Sequence, residues 1–271
     1  MSLQTLQKPK AAYPELKDKI AVVTGAGSGI GRAAALALAA QGAKIGLLDL
    51  KDSRTEQVKA EIESLQTEAI MADVDVSDPE RLREAIEKVG KQWGKIDIVF
   101  ANAGINGVQT PIEDMKPEDW DHTLSTNLKG TFLTVKYAIP YMKNEGGSII
   151  VTSSINGNRV FSNFGMAAYS TSKAGQVAFA KMAALELARY KIRVNAICPG
   201  SIQTHISEST HPTPELNKIK IPVQYPQGSQ PLEHGPGQPE QVGDLIAFLA
   251  SNASSHISGT EMYIDGVESL L

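Results

Sequence analysis

The sequence predicts an α/β fold: one doubly wound parallel sheet of about seven strands, with helices on both faces. Three observations carry that prediction. Short apolar runs of strand length alternate with helical stretches from Ile20 to Ile197, and strand–helix repetition builds a parallel sheet with right-handed crossovers. A glycine-rich loop joins the first strand to the first helix. The polar residues that stand out fall at the carboxyl ends of the strands, where open parallel sheets bind ligands. Unrelated polar residues would be spread over both edges.

The chain has 271 residues, enough for one large domain with a substantial core. Its net charge of -4, with Lys and Arg scattered, argues against nucleic acid or an anionic membrane as the main partner. The one cysteine, Cys198, rules out an internal disulfide and reads as a small buried hydrophobe. The first residues lack the pattern of a signal peptide, and no apolar run approaches the ~20 residues of a membrane span. A cytoplasmic location is expected.

Residues 1–18 are polar, with Pro9 and Pro14, and read as an arm outside the core that is poorly ordered unless tied down. The domain proper is expected over 19–271. Ile20 to Thr24 is the first strand. Gly25-Ala26-Gly27-Ser28-Gly29-Ile30-Gly31 follows, then an Ala/Leu-rich helix from Arg32 to Gln41, with Gly42 as its C-cap. In that context the glycines let a pyrophosphate approach the backbone, and the free N–H groups of the helix start bind it.

Lys44 to Asp49 is the second strand. Asp49 stands 18 residues beyond Gly31, near the spacing of an acid that binds a ribose 2′-hydroxyl. That reading favours NAD over NADP by like-charge repulsion; Lys51 and Arg54 nearby weigh against it, and a solvated strand-end carboxylate is the plainer alternative. A helix over 53–67 places Val58, Ile62 and Leu65 on one face. Ala69 to Val74 is the third strand. Ser77-Asp78-Pro79-Glu80 opens a helix that runs to about Trp93.

Ile96 to Ala101 is the fourth strand, closed by Asn102-Ala103-Gly104, small residues that admit a close backbone or ligand, or form an ordinary turn. Pro117 opens a helical region from about Glu118 to Asn144, interrupted near Lys129-Gly130 and Pro140 and carrying Asn127. Gly147 to Ser153 is the fifth strand, with Ser154 at its end. A loop of about a dozen residues leads to a long helix, Ala167 to about Tyr190, and Ile192 to Ile197 is the sixth strand.

From Pro199 to Pro239 the chain holds eight of its 14 prolines and three of its five histidines, the composition of a lid or binding loop, or of a disordered segment. The lid is expected over 201–237. Pro239 opens a helix to about Asn252, and Glu261 to Asp265 is the last strand. His205, His211 and His234 lack metal-site spacing. Arg159 pairs with an acidic substrate or is solvated, and Phe161, Phe164, Met166 and Tyr225 line a pocket or pack loops together.

Tyr169 and Lys173 stand four apart on the long helix, one turn apart on one face. A fixed cation beside a phenol favours the phenolate, so the pair has the makings of a general acid/base. The same spacing also arises by chance.

Taken together, the chain resembles the short-chain dehydrogenase/reductase family, in its compact single-domain branch, from about Lys19 to Gly266. Thr24 to Gly31 matches the family's cofactor loop, with Gly25, Ser28, Gly29, Ile30 and Gly31 as its contacts. Asp73-Val74 matches the adenine-ring contact. Asn102-Ala103-Gly104 matches most of an Asn-Asn-Ala-Gly element, with Ala101 in place of the first Asn. Asn127, Ser154, Tyr169 and Lys173 match the catalytic set. Pro199-Gly200, with Ile202 and Thr204, matches the segment that holds the nicotinamide carboxamide. Gly237 to Glu240 and Asp265-Gly266 match the C-terminal signatures.

The resemblance implies a Rossmann-type fold, an NAD cofactor with NADP as the lesser choice, a small-molecule alcohol or carbonyl substrate, and a homotetramer built on the two long helices and the C-terminal strand region. It implies that Tyr169 moves the proton and Ser154 binds the reacting oxygen. Lys173 lowers the Tyr169 pKa and holds the nicotinamide ribose. Asn127 holds a water that links Lys173 to solvent. An NADPH-dependent 3-oxoacyl thioester reductase is the enzyme alternative, and a dinucleotide-binding sensor without turnover is the alternative from another class. Two departures stand out: Ala101, expected to loosen a structural hydrogen bond, and a Ser154-to-Tyr169 spacing two residues longer than the family's, expected to bulge into the substrate loop around Asn158 to Phe164.

Overall fold

The structure is a computed structural model that describes residues 11–50, 52–225 and 228–271, with the backbone alone for Asp52. Lys51, weighed above against NAD, lies outside the described residues, as do residues 1–10 of the expected arm. The described part of the arm is docked, which corrects the expectation that 1–18 lies outside the core. Leu16 is buried in the core cluster that includes Leu38 and Leu249, Tyr13 N donates to Gln41 Oε1, and Glu15 Oε1 accepts from Asn252 N.

Beyond it run β1 (Ile20–Thr24), α1 (Gly29–Ala40), β2 (Lys44–Asp49), α2 (Asp52–Ser64), β3 (Ala69–Asp73), α3 (Pro79–Trp93), β4 (Ile98–Ala101) and β5 (Gly107–Gln109). Next come α4 (Pro117–Leu124), α5 (Gly130–Met142), β6 (Gly147–Thr152), α6 (Ala167–Leu187), β7 (Ile192–Pro199), β8 (Thr210–Pro212), α7 (Pro239–Ala250) and β9 (Glu261–Ile264). The large sheet has seven strands in the order β3-β2-β1-β4-β6-β7-β9, all parallel. This is the predicted doubly wound sheet.

The strand alternation of period two explains both layers. Val22, Val99, Val151 and Val194 point to one face and pack under α3, α5 and α6. Val23, Phe100, Ile150 and Ile197 point to the other, under α1, α2 and α7. Each fully buried side chain of this size contributes roughly 1.5–3 kcal/mol. The sheet is therefore a rigid platform, and its carboxyl edge holds loops in register.

Some boundaries move for physical reasons. Asp78 is the residue that caps α3, accepting from Glu80 N and Arg81 N, while Ser77 N donates to Asp75 Oδ1 in the turn before it. β4 starts at Ile98, since Asp97 turns its carboxylate inward to Lys19, Lys95 and the Ile20 N–H. Pro140 lies inside α5 without ending it. The interruption sits earlier, in a π-helical turn over Ser125–Lys129. The first part of the expected lid is structured: β8 pairs in parallel with β5, and Asn106 bonds to Ser209 and Thr210.

Candidate active site

A cleft of about 660 Å³ runs along the carboxyl edge of the sheet. At one end lies the glycine loop. Gly25 and Gly29 have φ of +65° and +51°, where side chains are strained. A Cβ on Gly31 would lie 1.9 Å from the Gly25 carbonyl oxygen, so Gly31 lets α1 begin hard against β1. Gly25, Ser28, Gly29 and Ile30 line the cleft, while Gly31 stands behind them as a packing residue. Ser28 is the N-cap of α1, yet its side chain makes no capping bond, and no acid occupies the first turn. The first N–H groups of the helix are thus left for an anion.

Asp49 closes β2 beside this loop, and its Oδ2 accepts from Gly27 N at 2.8 Å. Arg54, on the next helix, reaches the lid: its Nη2 donates to the two Glu208 carboxylate oxygens at 2.9 and 3.1 Å. The third strand brings a correction. Val74, Asp75 and Val76 line the cleft, but Asp73 is exposed and outside it. The sequence repeats Asp-Val at 73–74 and 75–76, and residues two apart share a strand periodicity, so the pattern alone could not choose between them.

Asn102 staples three strand ends together. Its Nδ2 donates to Thr24 O, its Oδ1 accepts from Thr152 Oγ1, and Thr24 Oγ1 accepts from Asn102 N and Ala103 N. This network is made without a polar side chain at Ala101, which is buried in the core. Asn102, Ala103 and Gly104 all line the cleft.

Opposite them stand Ser154, Tyr169 and Lys173. Gly157 makes this possible: a Cβ there would lie 2.8 Å from Lys173 C and Ala174 N, so the turn after β6 packs directly on α6. Ser153 Oγ donates to Lys173 O, and Lys173 Nζ donates to Thr152 O at 2.9 Å. Ser154, Tyr169 and Lys173 are all buried and all face the cleft.

Asn127 is wholly buried and is not part of the cleft wall. Its Oδ1 accepts from Ile105 N at 2.8 Å; its Nδ2 donates to Ile105 O at 2.9 Å and to Ser172 Oγ at 3.0 Å. Both amide hydrogens are thus spent on protein. The π turn frees its carbonyl, which accepts from Thr131 Oγ1 and Gln176 Nε2. The Asn127 side-chain Oδ1 and Lys173 Nζ meet across Gly104, at 3.1 and 3.5 Å from where a Cβ would stand. Asn127 therefore fixes the 104–105 backbone beside Lys173.

Pro199, Gly200, Ile202 and Thr204 complete the cleft, with Thr204 lying over Gly29. Glu268 was not anticipated from sequence. It folds back from the C-terminal turn, accepting from Ser201 N at 2.9 Å and from Gln230 Nε2. Asn106, Gln109, Asn156, Asn163 and Glu208 were also missed as cleft residues; nothing in an isolated amide or acid signals that a lid folds onto it. Of the aromatic and apolar candidates in the loops, Met166 lines the cleft, while Phe161 is exposed. Arg159 stacks on Tyr263 at 3.4 Å and is not part of the cleft wall.

The electrostatics depart from expectation. Burial pushes the Tyr169 phenol up, with Ser154 pulling the other way, and Lys173 is not among the causes. Its ammonium lies 5.5 Å from the ring centroid, and burial brings its own pKa down to about 8. In this geometry desolvation outweighs the pairing that the spacing suggested. Cys198 is pushed up to about 11, mainly by burial, and is a neutral thiol.

A protein-family model described as enoyl-(acyl carrier protein) reductase matches residues 25–266. The 3-oxoacyl-(acyl-carrier-protein) reductase FabG of Thermotoga maritima is 37% identical over 252 residues, covering 93% of this chain and 98% of that protein. Among solved structures, a 3-ketoacyl-ACP reductase from Sinorhizobium meliloti 1021 superposes with a TM-score of 0.89 at 48% identity, over 93% of this chain and 99% of that one. A carveol dehydrogenase from Mycobacterium avium in complex with NAD superposes with a TM-score of 0.84 at 25% identity, over 94% and 99%. The chain belongs to the short-chain dehydrogenase/reductase family. It is thereby an oxidoreductase of a family that works on CH–OH and carbonyl groups with a nicotinamide cofactor. The glycine cradle, the uncapped α1 terminus and the acid on the second strand fit such a dinucleotide.

Proposed function

We propose that this protein catalyses reversible, NAD-dependent interconversion of a secondary alcohol and a ketone. One observation carries the reading: Ser154, Tyr169 and Lys173 share a cleft with the glycine loop and Asp49. Gly25, Ser28, Gly29 and Ile30 would hold the pyrophosphate, Asp49 the adenosine ribose, Val74 to Val76 the adenine, and Pro199 to Thr204 the nicotinamide. When bound, the nicotinamide accepts or donates the hydride, and the protein supplies orientation and proton transfer.

Tyr169 moves the proton at the substrate oxygen. Its raised pKa keeps it protonated near neutrality, set to donate to a carbonyl. Ser154 hydrogen-bonds the same oxygen and stabilises its developing charge. Lys173 is a buried cation anchored to Thr152 O, poised beside the ribose position. Asn127 acts as a positioning residue through Ile105 and Ser172. The lid over 201–237 closes the cleft, tied to α2 by the Arg54–Glu208 pair. Exposed Phe132, Met182 and Leu185 on α5 and α6 support a homotetramer in which those helices meet partner copies.

An NADPH-dependent 3-oxoacyl thioester reductase is the second reading, supported by the activities named for the T. maritima and S. meliloti relatives. Asp49 favours NAD, since a 2′-phosphate there meets a carboxylate held by the glycine loop. A sensor without turnover is disfavoured by the complete Ser, Tyr, Lys and Asn set. The test is a spectrophotometric screen of alcohol and carbonyl classes with NAD and NADP at equal concentration. Turnover with NAD preferred supports the proposal; clear NADPH preference with 3-oxoacyl thioesters replaces it.

A further inference from the structure

Asn156 stands two residues after Ser154, in the turn that opens the lengthened loop before Tyr169. Its backbone N–H donates to Ser154 Oγ at 3.1 Å, so it is a direct neighbour of the group assigned to the reacting oxygen. The residue is 9% exposed. Asn163, across the loop, donates from Nδ2 to Asn156 Oδ1 at 3.1 Å. That bond fixes the amide plane and leaves the Nδ2 end without a partner among the described residues.

The free end is not sealed in the protein. Among the described residues, Gln176 Oε1 is the fully enclosed side-chain polar atom left without a partner. Asn156 and Asn163 both line the cleft, so the unpartnered amide end belongs to a cleft-wall residue. A substrate that covers this donor displaces the water it would otherwise bond, and that costs free energy unless the substrate itself accepts from it. An apolar substrate arm here would leave it unsatisfied. Gln109, Asn106 and Ser209 continue the polar wall beyond it.

We infer that Asn156, braced by Asn163, hydrogen-bonds an oxygen on the carbon next to the reacting one, so that the preferred substrates are vicinal diols and their α-hydroxy ketones. The inference rests on the oxidoreductase reading above and names its substrate class. The longer Ser154-to-Tyr169 segment is what makes it possible, because Asn163 reaches back to Asn156 from within it.

Matched pairs of alcohols test this with the full-length protein: cyclohexanol against cis-1,2-cyclohexanediol, and 2-butanol against 2,3-butanediol, each with NAD. One added hydrogen bond to a fixed donor predicts a kcat/KM for the diol about tenfold above that of the mono-alcohol. Asn156→Ala should bring the ratio below about threefold, and Asn163→Ala should lower it part of the way. The ratio is read within each protein, so an unstable variant does not blur it, and the wild-type preference needs no variant at all. Turnover of mono-alcohols with no diol preference overturns this inference and leaves the oxidoreductase reading standing. An unchanged ratio in Asn156→Ala overturns it as well. Absence of turnover on every alcohol and ketone, with either nucleotide, overturns both.

Discussion

Replacing Lys173 by Met should make the nucleotide-free protein more stable at neutral pH while abolishing turnover. The ammonium is buried, and its pKa falls from 10.5 to about 8. Holding a proton there that the unfolded chain holds more readily costs on the order of 3 kcal/mol. Met removes that cost, keeps much of the apolar stem's packing, and gives up the bond from Nζ to Thr152 O, worth about 1 kcal/mol. The net gain is about 1–2 kcal/mol, or roughly 2–6 °C in Tm for a chain of this size. The sign with pH follows from linkage. Between about 8 and 10.5 the unfolded state binds more protons than the folded state, so wild-type stability gains on the variant as pH rises through that window. The gap is largest below pH 8, vanishes between about pH 9 and 9.5, and reverses above that, because the roughly 3 kcal/mol the wild type regains exceeds the variant's lead. Thermal unfolding of both proteins without nucleotide, from pH 6.5 to 10, measures it. A variant less stable than wild type at pH 7, or a gap that does not shrink with rising pH, would refute the desolvation argument.

Other outcomes follow from the same geometry. Asp49→Asn removes the carboxylate that faces a 2′-phosphate; a unit charge pair at 4 Å is worth up to about 4 kcal/mol near a protein surface. The ratio of kcat/KM for NADP over NAD should rise at least tenfold, and an unchanged ratio would remove Asp49 from cofactor selection. Gly31→Ala sets a methyl 1.9 Å from the Gly25 oxygen, an overlap that side-chain rotation cannot relieve. A destabilisation of about 2 kcal/mol or more is expected, with loss of the thermal shift that NAD produces in wild type. Glu208→Gln removes the negative charge from the pair with Arg54 that crosses from lid to α2. The pair is partly exposed, so a rise in KM for NAD of no more than about fivefold is expected, shrinking at high salt.

The platform was legible in the sequence because its strands and helices follow periodic patterns. Thr24 to Gly31, Asn102 and the Tyr169–Lys173 pair were legible because each motif adjoins a strand end. Asp73 stands outside the cleft wall while Asp75 lines it; Asp-Val occurs twice in four residues, and spacing cannot tell two copies apart. Asn127 was visible as a residue but not as a lock on Ile105, since its partner lies 22 residues away across a π turn. Glu208 and Glu268 reach the cleft through backbone that folds back on itself, and no local pattern encodes that return. The pKa directions were the least accessible. Tyr169 and Lys173 are shifted mainly by burial, a property of the packed chain.

The central claim is that Tyr169 moves the proton while the cleft binds the nucleotide independently of it. Tyr169→Phe, assayed side by side for turnover with NAD and for NAD affinity by fluorescence or calorimetry, tests it most directly. Loss of a positioned acid/base predicts a kcat lower by at least 10²–10⁴-fold, with the NAD Kd within about threefold of wild type because the pyrophosphate and ribose contacts are untouched. Full activity in Tyr169→Phe would contradict the account.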